Sequence, residues 1–272
     1  MDSLKYWGPS KIMRVVPVAV VLGIFGLLAT PIAASAETTV TVSNTGASWT
    51  YFPVNVTLAN PISTTVHGTV APGGGCIFKG SGSGISGAGS STQIETAIDV
   101  ASCTAVFESG SPVGTPSNVV ATGTSSSTST KGTPAAGGDT DPSATQNNQW
   151  LDPLGIQVNA QAQTVNWTTD GSQDTSWNET VNWSWLSADG WTTRWTSDNS
   201  NGGQPANSLA NSSFQNSIFC APFTTYSYFG WNGTSPVNDE LYGYADGTYS
   251  WNYTDYVNGG CSTLLHHGHT DS

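Results

Sequence analysis

Apolar and polar positions alternate with a period of two along much of this chain. Residues 38–43 set Val40 and Val42 among threonines, and residues 48–58 run through Trp49 and Tyr51 and then Val54, Val56 and Leu58, slipping phase by one at Pro53. Successive side chains on a strand point to opposite faces, so this pattern predicts half-buried strands, with a bulge or an edge position at the proline. Residues 64–70 repeat it through Val66. The glycines of 73–75 and 80–89 predict loops, because glycine supplies no side chain to pack and tolerates positive φ. Residues 93–107 carry Ile94, Ala97, Ile98 and Ala101 at spacings that also suit a short helix; they are read here as strand.

Between 122 and 149 the pattern stops. The stretch TGTSSSTSTKGTPAAGGDTDPSATQNNQ holds no large apolar side chain and no periodicity, so it predicts a Ser/Thr/Gly-rich linker that cannot bury enough surface to offset its ordering entropy. Alternation resumes from Trp150. Segments 157–168, 177–186 and 190–196, then 217–231, 240–244 and 248–256, read as six strands. Asp170-Gly171, Asp189-Gly190, Asn232-Gly233 and Asp246-Gly247 supply the hairpin turns. The expected fold is therefore all-β: two small antiparallel sandwich-like domains, 37–121 and 150–272 with a short tail, joined by the 122–149 linker.

Chemistry enters with the aromatics. Nine of the eleven tryptophans lie from Trp150 onward, followed by Tyr226, Tyr228, Tyr242, Tyr244, Tyr249 and Tyr253. A pyranose stacks its C–H face on such rings, but tryptophan is also how a small β domain fills its core. Trp183 and Trp185, beside Val181, read as core. Trp191 and Trp195, among Thr192, Thr193 and Arg194, read as an exposed row that, with Tyr242 and Tyr244, forms the candidate ligand surface.

Charge narrows the partners. Only 9% of residues are charged and the net charge is −12 at pH 7. Beyond residue 36 the cations are Lys79, Lys131 and Arg194, too few and too scattered for nucleic acid or an anionic membrane surface. The remaining polarity is Ser, Thr, Asn, Gln and Gly, a neutral surface that changes little as carboxylates protonate and suits acidic or chemically variable surroundings; the expected partner, through the aromatics, is carbohydrate or another cell-surface polymer.

Residues 1–36 read as a cleaved signal peptide: Lys5, Lys11 and Arg14 precede an apolar run, and Ala34-Ser35-Ala36 is a small-x-small cleavage site. The expected location is secreted or cell-surface, with no membrane attachment after cleavage. Four cysteines in an exported chain predict two structural disulfides, and pairing within each domain gives Cys76 with Cys103 and Cys220 with Cys261. The cluster His266, His267, His269 and Asp271 has N/O donors, yet it lacks a flanking strand, so it reads as a solvated tail; no metal and no cofactor are expected. Seven Asn-x-Ser/Thr sequons, at Asn55, Asn166, Asn178, Asn182, Asn211, Asn232 and Asn252, are close to the roughly five that this composition gives by chance.

No GxSxG elbow occurs, and no histidine sits in a nucleophile–base setting. Carboxylates for a polysaccharide hydrolase would come from Asp170, Asp174, Glu179, Asp189 and Glu240, with Asp189 or Asp198 meeting the first three across a turn, but carboxylates beside glycine usually form the turn itself. The stretch from Glu95 through Ala97, Asp99 and Cys103 to Glu108 and Gly110, with Trp150, Asp152 and Pro153 and the closing Cys261, Leu264 and Leu265, resembles a loose group of uncharacterised secreted proteins of Gram-positive, actinobacterial-type bacteria. That resemblance implies export and assigns no catalytic residue. The sequence thus favours a non-catalytic surface-binding β protein, with a secreted polysaccharide hydrolase or a structural coat or filament subunit as rivals.

Overall fold

The computed structural model describes residues 49–51, 56–72, 74–113, 125–132, 140–153, 155–200, 203–216, 223–226, 238–258 and 264–272, with backbone alone at 125–132 and 223–226. The strands are β1 Thr50–Tyr51, β2 Leu58–His67, β3 Thr69–Val70, β4 Cys76–Ile85, β5 Ser91–Asp99, β6 Thr104–Pro112, β7 Ser125–Gly132 and β8 Ser143–Leu151. They continue as β9 Gln157–Thr169, β10 Asp174–Trp185, β11 Trp191–Asp198, β12 Ala206–Asn216, β13 Phe223–Tyr226, β14 Asp239–Gly243, β15 Thr248–Asn258 and β16 His266–Asp271. No α-helix occurs among the described residues; one 3-10 turn, Ser187–Asp189, joins β10 to β11.

All pairing is antiparallel and forms two sheets. The first runs β2-β6-β5-β16-β8-β9-β10-β7, with β1 on β5; the second runs β11-β12-β13-β15-β4-β3, with β14 on β12 and β15. The all-β expectation holds, but its division into two domains does not match the ladders. β4 pairs along its length with β15, and β5 pairs with β16, so strands from both sides of 122–149 share both sheets. Residues 37–272 form one compact unit. The expected linker itself contributes strands: β8 lies between β16 and β9, and β7 pairs with β10. Alternation was present in β8, but its inward side chains are Ala144, Gln146, Asn148 and Trp150, and amides do not register as a buried face.

Two further expectations fail for related reasons. Residues 80–89 are not a loop at their start: Gly80, Gly82 and Gly84 lie in β4, opposite Tyr253, Trp251 and Tyr249 of β15. A Cβ at these glycines would fall 2.3, 2.5 and 2.3 Å from those rings. Glycine here makes room for an aromatic laid flat across the neighbouring strand. The histidine segment is likewise not a solvated tail. It is β16, a central strand of the first sheet, with His266, His267, His269 and Asp271 all buried.

The inner faces share three apolar clusters. One joins Trp150, Val158, Val181 and Trp183 to Trp191, Ala210, Phe214 and Val257. Another joins Val165 and Trp167 to Leu241, Tyr249, Trp251 and Tyr253. The third surrounds the Cys76–Cys103 disulfide with Phe78, Ile98, Ala105 and Phe107. That bond ties β4 of the second sheet to the turn before β6 of the first, and closing 27 residues stabilises the fold by about 3 to 4 kcal/mol on the chain-entropy estimate. Residues 1–36 and 38–43, most of 217–231, the Asn232-Gly233 turn, and Cys220 and Cys261 lie outside the described residues.

Gly82→Val should place two methyl groups into the Trp251 ring and destabilise the chain by about 2 to 3 kcal/mol or more, read as a shift in urea midpoint. A wild-type midpoint would show that the ring packs elsewhere. Removing His266 to Ser272 should leave a chain without cooperative unfolding by circular dichroism, since β16 separates β5 from β8; retained cooperativity would refute its central position.

Candidate functional site

The four residues expected to form a ligand surface separate into two pairs. Trp191 is buried, 2% exposed, against Trp183 and Phe214, so it belongs to the core. A bulge between Thr193 and Trp195 breaks the strand phase and sets Trp195 opposite Ser213, half-buried against the Trp167 cluster. The polar neighbours of Trp191 misled because β11 is itself half-buried, so its threonines say little about the opposite face. Trp183 is core as expected, and Trp185 is partly buried against the same cluster.

Tyr242 and Tyr244 both reach the surface. On β14, Asp239, Leu241 and Gly243 are buried while Glu240 and Tyr242 are half-exposed, and Tyr244 beyond the strand end is exposed. Cross-strand register carries this outward face over two more strands. Tyr242 lies opposite Ser250, which lies opposite Ser83; Glu240 lies opposite Asn252, which lies opposite Ser81. Tyr244 and Ser250 hydroxyls are 2.8 Å apart, and Asn252 Nδ2 donates to Glu240 Oε2 at 2.7 Å. Burial and then the Glu240 charge push the Tyr242 phenol up, so it remains a neutral donor. Ser81 and Ser83 were hidden in the glycine run; the signal that exposes them is glycine at every second position opposite Tyr-x-Trp-x-Tyr.

The interior holds a different chemistry. Gln146 Nε2 donates to Gln163 Oε1 at 2.7 Å, and Gln163 Nε2 donates across the sandwich to Ser208 O at 3.1 Å and Asp239 O at 3.3 Å. Asn148 and Gln161 both donate to Asp239 Oδ2, at 2.8 and 2.9 Å, and Trp183 Nε1 donates to Gln161 Oε1 at 3.0 Å. Asn148 Oδ1 lies 2.7 Å from His269 Nδ1, which therefore carries the proton of a neutral imidazole. His267 Nε2 is 2.8 Å from Asp255 Oδ2, and Tyr249 donates to Asp271 Oδ2 at 2.8 Å. Burial raises the carboxyls of Glu95 and Asp239 well above their usual range, and the charge of Asp255 adds to both. Burial lowers His269, and lowers His266 to about 4, with His267 adding to both. Among the described residues, no three His, Cys, Asp or Glu side chains converge as metal ligands.

The hydrolase candidates mostly occupy structural posts. Asp170 accepts from the backbone of Ser172 and Gln173 in the β9–β10 turn, Asp174 accepts from Ala206 N at 2.9 Å, and the Asp189 carbonyl accepts from Asn216. Glu179 differs. It is buried, accepts from Ser200 Oγ at 2.8 Å, and is hydrogen-bonded by Asp198; burial is the main cause that raises its carboxyl to about 7. Sequence spacing had anticipated that Asp198 could approach Glu179.

No family model matches the chain, and no curated protein and no solved structure matches it either. The class defined by fold and site is thus a two-sheet, disulfide-tied, all-β protein, and none of its described helical residues forms a helix long and apolar enough to cross a membrane.

Glu179 gives a pH test. Its folded value of about 7 exceeds its ordinary 4.5, so between those values the folded chain keeps a proton that the unfolded chain has lost. Stability from this group is complete below about 4.5 and declines as pH rises through 7. Glu179→Gln should remove that part of the decline, so the drop in urea midpoint between pH 5 and pH 8 should be smaller in the variant. An unchanged drop would mean the carboxyl titrates normally. His266 acts oppositely, costing stability as pH falls from 6.5 towards 4.

Proposed function

We propose that the chain is an exported, non-catalytic protein that binds carbohydrate or a similar hydroxyl-rich cell-surface polymer through the outer face of its second sheet. The observation that carries this reading is the outward set of Tyr242 and Tyr244 with Glu240, Asn252 and Ser250, two rings flanked by hydrogen-bonding groups on an open strand surface. The rings offer faces to sugar C–H groups, and the carboxylate, amide and hydroxyl exchange their mutual hydrogen bonds for sugar hydroxyls. The signal-like residues 1–36 and the resemblance to secreted actinobacterial-type proteins support an extracellular setting, and the near absence of cations argues against nucleic acid. The cystine at Cys76–Cys103 fits an oxidising compartment.

A second reading, a polysaccharide hydrolase, has one observation in its favour: the Glu179–Asp198 carboxyl pair, with Glu179 raised to about 7. It is the weaker reading because Glu179 is fully buried.

Tyr244→Ala and Tyr242→Ala should fold with near wild-type stability and lose about tenfold in retention on any glycan the wild type binds in an array screen. Trp191→Ala, emptying a buried site, should lose about 3 to 5 kcal/mol. If the tyrosine variants keep full retention, the second sheet is not the binding face; if reducing ends are released from the bound glycan and Glu179→Gln abolishes the release, the hydrolase reading replaces this one.

A further inference from the structure

We infer that the outer face of the first sheet is a second contact plane, fitted to an extended, uncharged, hydroxyl-bearing polymer and independent of the tyrosine face. The inference rests on the register of four adjacent strands. Ser143 of β8 lies opposite Asn166 of β9, which lies opposite Asn178 of β10. The next row is Thr145, Thr164 and Thr180, with the first two hydroxyls 3.1 Å apart. The third is Thr270 of β16, Asn147, Ala162 and Asn182. Every one of these side chains is half-exposed or exposed, while the residues between them, Ala144, Gln146, Asn148, Val165, Gln163, Glu179 and Val181, are buried. The alternation is complete across these rows, so the face is a grid of hydroxyls and amides, with one methyl at Ala162, about 4.8 Å apart across strands and about 6.8 Å apart along them.

The occupant follows from what the grid lacks. β8 and β9 carry no ionisable side chain, and on β10 the only two are Asp174, at the strand's first residue, and Glu179, which points inward. A chain of net charge −12 that keeps charge off three adjacent strands offers nothing to a charged partner. A protein partner would want an apolar centre ringed by polar groups, and here the centre is the threonine row. A neutral polymer with regularly spaced hydroxyls can exchange hydrogen bonds with every row. Because the two outer faces belong to opposite sheets, one molecule would bridge two polymer surfaces.

The test uses sedimentation with microcrystalline cellulose and with chitin, plus carboxymethylcellulose beads as a charged surface. Thr164→Glu combined with Thr180→Lys puts an opposite-charge pair into the middle row while leaving the core untouched. Thr64→Glu with Thr65→Lys on exposed β2 serves as the control. The inference expects wild type to sediment with at least one neutral polymer and to clump its particles. It expects the grid variant to lose clumping and at least fivefold in retention, and the β2 control to lose neither. In the Tyr242→Ala/Tyr244→Ala background some retention should survive, and the grid substitutions should abolish it. Equal loss in grid variant and control, wild-type retention in the grid variant, preference for the charged beads, or no sedimentation of wild type each overturns the inference. Failure of the tyrosine variants alone to weaken binding counts against the second-sheet reading and leaves this one standing. Near-unchanged melting temperatures verify that each variant is folded.

Discussion

The contact on which the rest of the sandwich depends is the close approach of β4 backbone to the rings of β15. Tyr249, Trp251 and Tyr253 can lie against Gly84, Gly82 and Gly80 only because no Cβ stands there. The rings in turn meet the imidazoles of β16: Trp251 and His269 have centroids 3.9 Å apart, and Tyr253 and His267 4.7 Å. A strand from the first third of the chain, one from near its end and the last strand of all are thus locked into one stack. This arrangement links both sheets, and it sets strands from either side of 122–149 into shared ladders.

Such a stack leaves buried ionisable groups to be accommodated. Isolated charges in a dry interior cost several kcal/mol each, so the interior must either neutralise them or pair them. It does both. Glu95 and Asp239 are driven towards the protonated form and His266 and His269 towards the neutral one, while Asp239 takes two amide donors and Asp271 a tyrosine hydroxyl. The two sets of shifts have opposite pH dependence. Carboxyls that hold protons lose stability as pH rises, and neutral imidazoles lose it as pH falls. Carboxyl and imidazole contributions therefore oppose each other as pH changes.

What could be read from the sequence was whatever obeyed a period-two contrast between apolar and polar. β9, β10, β14 and β15 were legible that way, the turns Asp170-Gly171 and Asp246-Gly247 from their Asp-Gly pairs, and the Cys76–Cys103 pairing from both cysteines lying before 122. Four of the missed strands, β4, β8, β12 and β16, share one property: their inward faces are only partly apolar or not apolar at all. β8 buries glutamine and asparagine, β16 buries histidine, β12 buries serine and asparagine, and β4 sets half-buried glycines against the rings of β15. Hydrophobic patterning presumes that a buried side chain is greasy, and here inter-sheet hydrogen bonds and aromatic–glycine stacking do that work instead. The candidate site divided in the same way, since Tyr242 lies on a strand with a plain alternation and Tyr244 just beyond its end, whereas Trp191 lies on the half-buried β11.

The same accounting bears on where function lies. An interior in which amides span both sheets and rings fill the gaps commits many of its polar groups to one another, as in the chain from Gln146 through Gln163 to Ser208 and Asp239, while buried atoms such as Trp150 Nε1 and Glu95 Oε1 find no hydrogen-bond partner. A ligand entering there would have to break several of those bonds for each one it formed. On the two outer faces, by contrast, hydroxyls and amides are held in register by the backbone ladder and a few mutual hydrogen bonds, Tyr244 to Ser250 and Thr145 to Thr164 among them, so they are ordered while still reaching solvent. Ordered, half-exposed donors lose little conformational entropy on binding, those in the rows of the first sheet carry no charge to desolvate, and the packed core beneath supplies that order. In this protein the buried polar network is therefore the support, and the sheet surfaces are the places where recognition is least costly.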